Sequence, residues 1–137
     1  MSEQENTAVV QQAYAKFKSG DIHGLLELVA DDVTWQLPEI ENVPFAGTRT
    51  TRNGVAQFFA LVGANQDTLK FEPNETIAQG DKVVSLGNYR WRVKETNRDF
   101  GGDFAHVFTI RDGKVVEFQE YMDTAAAAAA YRKAMSA

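Results

Sequence analysis

From Leu69 to Met122 apolar residues recur at a period of two, whereas the residues before them recur at helical spacing. Alternation sustained over so long a run is the mark of strands with one buried face, so this half must form a sheet. The helices that precede it must then cover one side of that sheet. Within the alternating half, Gln79-Gly80-Asp81 and Arg111-Asp112-Gly113 read as hairpin turns and Asn97 to Gly102 as a longer connection, which gives four strands of an antiparallel meander. Pro73 carries no N–H and marks a strand end, an edge or a bulge.

In the first half, Val9, Val10, Ala13, Tyr14 and Phe17 form one apolar stripe that stops at Ser19-Gly20. Asp21 caps a second helix carrying Ile22, Leu25, Leu26 and Val29. Val33, Trp35 and Leu37 alternate and predict a short strand ending at Pro38. The stretch from Pro38 to Thr51 holds Pro38, Pro44 and Gly47 without any period, and predicts a loop lying over whatever the strand borders. A third helix shows Val55, Phe58, Phe59 and Val62 on one face. After Met122, Thr124 is placed to cap a closing helix rich in alanine that ends near Tyr131 to Met135. The expected class is therefore α+β.

At 137 residues and with no internal change of composition, the chain is expected to form a single domain spanning 1–137, with a core large enough to need neither disulfides nor a structural metal. The absence of cysteine removes thiolate chemistry. A polar, acidic start from Met1 to Thr7 lacks the pattern of a secretory signal, and a cytoplasmic location is expected. No apolar run approaches the roughly 20 residues that span a bilayer, which argues against a membrane partner. A net charge of -5 argues against nucleic acid. Arg90, Arg92, Lys94 and Arg98 are the local exception, and their alternation predicts a solvated sheet face or rim. No phosphate-cradling glycine loop, nucleophile elbow or His pair at metal-ligand spacing is present, so neither metal nor organic cofactor is expected.

The hairpin around Gly113 decides which polar residues face the core. A two-residue turn at Asp112-Gly113 pairs the apolar set His106, Phe108 and Ile110 with the mostly polar Val115, Glu117, Gln119 and Tyr121. A three-residue turn with Gly113 left-handed matches the same set to Lys114, Val116, Phe118, Glu120 and Met122, so this register is expected. It makes His106 and Glu120 diagonal neighbours, roughly 7 to 8 Å apart, on one apolar face. An imidazole and a carboxylate sharing such a wall are the acid–base candidates. The alternative is that the two merely satisfy each other inside the core. Fifteen aromatic side chains (two Trp, four Tyr, nine Phe) supply bulky walls to that face. The expected ligand-contacting residues are Tyr14, Phe17, Trp35, Leu37, Phe58, Tyr89, Trp91, Phe108, Phe118 and Met122.

Ala30-Asp31-Asp32-Val33-Thr34-Trp35, Phe45-Ala46-Gly47-Thr48, Phe58-Phe59, and Ile110 to Val116 followed by Glu120-Tyr121-Met122-Asp123 resemble the SnoaL-like polyketide cyclase and ketosteroid isomerase-related families of the nuclear transport factor 2-like superfamily. That resemblance implies a cone-shaped fold with three N-terminal helices, a strongly curved, mostly antiparallel sheet around an apolar pocket, and a short C-terminal helix. It specifies the scaffold and not the reaction. Ketosteroid isomerases carry a catalytic Asp where this chain has Leu37, so their proton transfer lacks its base here. His106 falls where they carry the protonated acid of their oxyanion site, and Tyr14 is an approximate counterpart of their helix-one tyrosine, one position out of register. Epoxide hydrolases on this fold place a carboxylate where this chain has Glu120, but their middle-strand Arg and Asp are replaced by Tyr89 and Trp91.

Three readings follow. The first is a cofactor-independent acid–base enzyme, an isomerase, cyclase or related lyase, acting on a small hydrophobic carbonyl compound through His106 and Glu120. The second is a domain that only binds such a molecule. The third is an association module, since the resemblance implies a homodimer through the outer sheet face.

Overall fold

The computed structural model describes residues 2–133. Helix α1, Glu3–Ser19, opens on a capping box in which the Ser2 hydroxyl accepts the Glu5 N–H while the Glu5 carboxylate accepts the Ser2 N–H. It closes at Gly20, whose φ of 78° places it in the left-handed conformation that glycine adopts without penalty. Asp21 caps α2, Ile22–Leu26. This helix is shorter than its apolar pattern suggests because Val29 belongs to the next strand. There the Val29 carbonyl accepts two N–H groups of Arg52, and the Leu28 carbonyl accepts the Val115 N–H.

Strand β1, Val29–Gln36, is followed by β2, Thr48–Arg49, then helix α3, Arg52–Asn65, and the four long segments β3, Gln66–Gln79, β4, Lys82–Val93, β5, Asp99–Arg111, and β6, Lys114–Tyr121. Helix α4, Thr124–Tyr131, closes the described chain. All six strands join one sheet in the order β2-β1-β6-β5-β4-β3, antiparallel throughout except where β1 runs parallel to β6. The connection between β4 and β5 is shorter than expected, because Asp99 to Gly102 already pair with Tyr89 to Arg92. Pro73 sits beside a register shift on β3, an edge strand of the sheet.

The last hairpin differs from the sequence expectation. Arg111 pairs with Lys114, so the turn has two residues, and Asp112 and Gly113 both have positive φ (52° and 76°), as a type I′ turn requires. Ile110 then pairs with Val115 but Thr109 with Glu117, which leaves Val116 as one extra residue on β6. That bulge reverses the phase of the strand. His106 consequently lies directly opposite Glu120, rather than diagonal to it, and Phe108 opposite Phe118. The apolar faces still coincide.

Helix α4 is capped by Asp123, whose carboxylate accepts the Ala126 N–H at 3.0 Å, and not by Thr124. It ends at Tyr131, and Met135 lies outside the described residues. The basic cluster is spent on the rim: Arg90 and Arg92 both bind Asp99, Lys94 donates to the Gly63 carbonyl, and Arg98 donates to carbonyls at the end of α4. No helix among the described residues is long and apolar enough to cross a membrane.

The helices and the 37–47 loop cover the concave face of the sheet. Ile40, Val43 and Phe45 are buried there, and the Leu37 N–H donates to the Gly47 carbonyl across the base of that loop. A single apolar cluster runs from Val9 and Val10 through Val33, Val55 and Val83 to Ile110 and Ala130.

Candidate functional site

A cavity opens inside this cluster. All ten expected ligand-contacting residues border it, together with His106 and Glu120. Each arrives by a separate element: Tyr14 and Phe17 from α1, Trp35 from β1, Leu37 just beyond that strand, Phe58 from α3, Tyr89 and Trp91 from β4, Phe108 from β5, Phe118 from β6 and Met122 just after it. Parallel pairing of β1 with β6 sets Trp35 beside Phe118, and their rings stack at 4.1 Å. The sequence reading did not include Ile40, Val43, Phe45 and Gln66, which also border the cavity. The loop carrying the first three has no period from which an inward face could be read.

The polar centre is a chain of three side chains. The direct cross-strand pairing brings His106 Nε2 to 3.0 Å from Glu120 Oε2, and Tyr14 Oη lies 2.7 Å from His106 Nδ1. Glu120 as a carboxylate only accepts, so Nε2 donates to it, and in that tautomer of the uncharged ring Nδ1 accepts from the tyrosine. Burial raises the Tyr14 pKa above the usual phenol value, and the charge of Glu120 raises it further, so Tyr14 keeps the proton it donates. His106 is 5% exposed, stacks on Phe104 at 4.1 Å and meets Phe118 at 4.9 Å. Both of its ring nitrogens are therefore engaged, and aromatic rings pack around the imidazole. Glu120 is less enclosed, and its Oε1 has no hydrogen-bond partner among the described residues.

Tyr14 reaches this site from 92 residues away in sequence. Its position on the apolar stripe of α1 shows that it faces inward, but nothing in the sequence places its hydroxyl on His106. Three further polar atoms near the site, Trp35 Nε1, Tyr89 Oη and Ser85 Oγ, the last on the residue paired with His106, are buried without a hydrogen-bond partner among the described residues. No group of three or more His, Cys, Asp or Glu side chains gathers among the described residues in a way that could hold a metal.

Burial pushes the Tyr89 hydroxyl up to about 12, with the nearby charge of Glu120 adding to the rise. The stability that follows is full below the ordinary tyrosine pKa near 10, where folded and unfolded chains both hold the proton. It is lost as pH rises through 12, because the unfolded chain releases the proton first. Absorbance at 295 nm should thus show Tyr14, Tyr89 and Tyr131, all raised by burial, still un-ionised at pH 11, titrating only with the loss of near-ultraviolet circular dichroism. Ionisation of all four tyrosines near pH 10 in the folded protein would contradict the enclosure described.

Comparison with known proteins agrees with this architecture. The family profile described as SnoaL-like domain matches residues 10–118. Among solved structures, an NTF2-like protein from Burkholderia xenovorans is 36% identical, with a TM-score of 0.88 over 96% of this chain and 99% of that one. An NTF2-like protein from Burkholderia thailandensis is 25% identical, with a TM-score of 0.86 over 97% and 100%. TerC, co-crystallised with polyporic acid, is 29% identical, with a TM-score of 0.77 over 93% and 98%. No curated protein matches the chain.

Proposed function

The chain belongs to the SnoaL-like family, and on that premise we propose that it is a cofactor-independent acid–base enzyme acting on a small hydrophobic carbonyl compound in the cytoplasm. The observation that carries this reading is the Tyr14–His106–Glu120 chain opening on an apolar cavity. Here one oxygen of Glu120 is fixed by His106 while the other is unpartnered among the described residues.

Glu120 Oε1 then removes a proton from the carbon next to the substrate carbonyl and can return it to a neighbouring atom, as an isomerase or cyclase requires. His106 is a positioning residue. It holds the carboxylate through Nε2 while Tyr14 anchors the ring through Nδ1. The negative charge that develops on the carbonyl oxygen needs a donor, and the Tyr89 hydroxyl, which lies in the field of Glu120 and beside the Asp123 backbone and has no acceptor for its O–H among the described residues, is the one we assign. A relative co-crystallised with polyporic acid supports a small-molecule ligand.

Deuterium incorporation into 2-tetralone in D2O, followed by NMR, tests the chemistry with a simple aromatic ketone. Exchange at the carbons flanking its carbonyl should exceed the buffer rate in proportion to enzyme concentration. Saturable binding of 2-tetralone without any accelerated exchange would assign the pocket to binding alone.

A homodimer through the outer sheet face accompanies this reading. Ile77 and Tyr121 are 53% and 52% exposed on that face, and β-pairing sets Val84, Leu86 and Val107 between them. Sedimentation velocity should give twice the chain mass, and Ile77→Lys should shift it to the monomer. A wild-type monomer at tens of micromolar would remove the homodimer.

A further inference from the structure

The cavity has a second polar end. Gln66 is 5% exposed and borders the cavity, and its Oε1 accepts the Tyr131 hydroxyl at 2.5 Å. Burial raises the Tyr131 pKa, so that hydroxyl keeps the proton it donates to the amide oxygen. The oxygen of the amide is thereby occupied, and its Nε2 has no hydrogen-bond partner among the described residues.

This end lies far from the acid–base centre. His106 is paired with Ser85 and Gln66 with Val93, so the two levels are eight residues apart along β4, about 26 Å of strand before the curvature of the sheet shortens the gap. A continuous path of packed aromatic rings, measured centroid to centroid, connects the two levels. On the sheet side His106 contacts Phe104 (4.1 Å), Phe104 contacts Tyr89 (6.3 Å), Tyr89 contacts Phe100 (6.2 Å) and Phe100 contacts Tyr131 (6.0 Å). On the opposite side the rings of Phe118, Trp35, Phe58 and Phe45 follow one another and again end on Tyr131.

Resting on the reading that Glu120 engages one end of the substrate, we propose that Gln66 is a specificity residue. Its amide N–H, held in place by Tyr131, binds an acceptor oxygen at the far end of an elongated, flat aromatic ligand. A pocket walled by aromatic rings and closed at both ends by hydrogen-bonding groups discriminates by length and by the distal oxygen. A ligand that lacks the oxygen leaves the buried amide unpaired, which is what makes such recognition selective.

Calorimetric titration with 4-hydroxystilbene and with 4,4′-dihydroxystilbene provides the test. The two probes differ only in the distal hydroxyl. In the wild-type protein the second hydroxyl should tighten binding about tenfold, the worth of one good buried hydrogen bond. In Gln66→Leu that gain should vanish while the affinity for 4-hydroxystilbene stays the same. Tyr131→Phe, which frees the amide without removing it, should reduce the gain and serves as the second variant where Gln66→Leu fails to fold. An equal gain in the wild type and in whichever variant folds, no gain in the wild type, or no binding of either probe would overturn the proposal. The acid–base reading fails separately: it requires Glu120→Gln to lose exchange into 2-tetralone, whatever the distal hydroxyl contributes to stilbene binding.

Discussion

Glu120→Ala is expected to reduce enzyme-catalysed exchange into 2-tetralone by about a hundredfold to ten-thousandfold, the usual worth of a positioned general base. Glu120→Gln should fall by a similar factor, because it retains the shape and a hydrogen-bond acceptor for His106 but cannot take a proton at neutral pH. The two positioning residues should show smaller losses and a different signature. Tyr14→Phe removes the donor to Nδ1 and leaves that buried ring nitrogen unpaired, so His106 and the carboxylate it holds lose their fixed orientation. Its cost should be about tenfold and should be accompanied by an altered pH–rate profile, which a merely structural defect would not produce. Far-ultraviolet circular dichroism on each variant separates loss of the group from loss of the fold. Exchange at the wild-type rate in folded Glu120→Gln would remove Glu120 from the chemistry.

The second large effect is on stability, at Gly87. A Cβ added there would lie 2.2 Å from the backbone oxygen of Glu72 and 2.6 Å from the Phe104 ring. The cause is local to the sheet. Gly87 pairs with Pro73, next to the register shift on β3, where the backbone of that strand closes on β4. On its other side Gly87 pairs with Phe104, whose ring fills the space that a side chain would occupy. Since that same ring stacks on His106, the glycine is coupled to the site. Gly87→Ala should cost about 3 kcal/mol, the upper part of the usual range for forcing extra volume into a packed interior. For a chain of this length that is a fall in Tm of about 10 °C. Thermal unfolding by circular dichroism measures it, and an unchanged Tm would mean that β3 is not held against β4 in the way described. By contrast, Gly63→Ala meets nothing within 4 Å and lies within α3, so it should leave Tm unchanged or raise it slightly.

The two effects depend on different kinds of information. Gly87 looks, in sequence, like a weak spot in a strand, and only the approach of Glu72 from the neighbouring strand makes it indispensable. Glu120 could be assigned to the pocket face from the chain alone, because Phe118 and Met122 alternate with it, but its partner oxygen and its orientation could not.

What the sequence by itself determined is the local and the periodic. The Ser2/Glu5 capping box and Gly20 bound the first helix, alternation from Leu69 onward committed the second half to strands, and the apolar face of those strands already held His106, Phe108, Phe118 and Glu120. These follow from side-chain geometry over a few residues, which the chain carries wherever it goes. Tertiary structure decided the rest. The last hairpin kept the two-residue turn that Asp112-Gly113 favours and recovered its phase by a bulge at Val116, a trade that pays only because β1 and the helices bury that face. The same closure set β1 parallel to β6 and brought the Tyr14 hydroxyl onto His106 from a distant helix. It also placed Gln66 and Tyr131 at the far end of the cavity, a pair 65 residues apart with no shared pattern. Contacts of this kind depend on the packing of whole elements against one another, and no spacing along the chain encodes them.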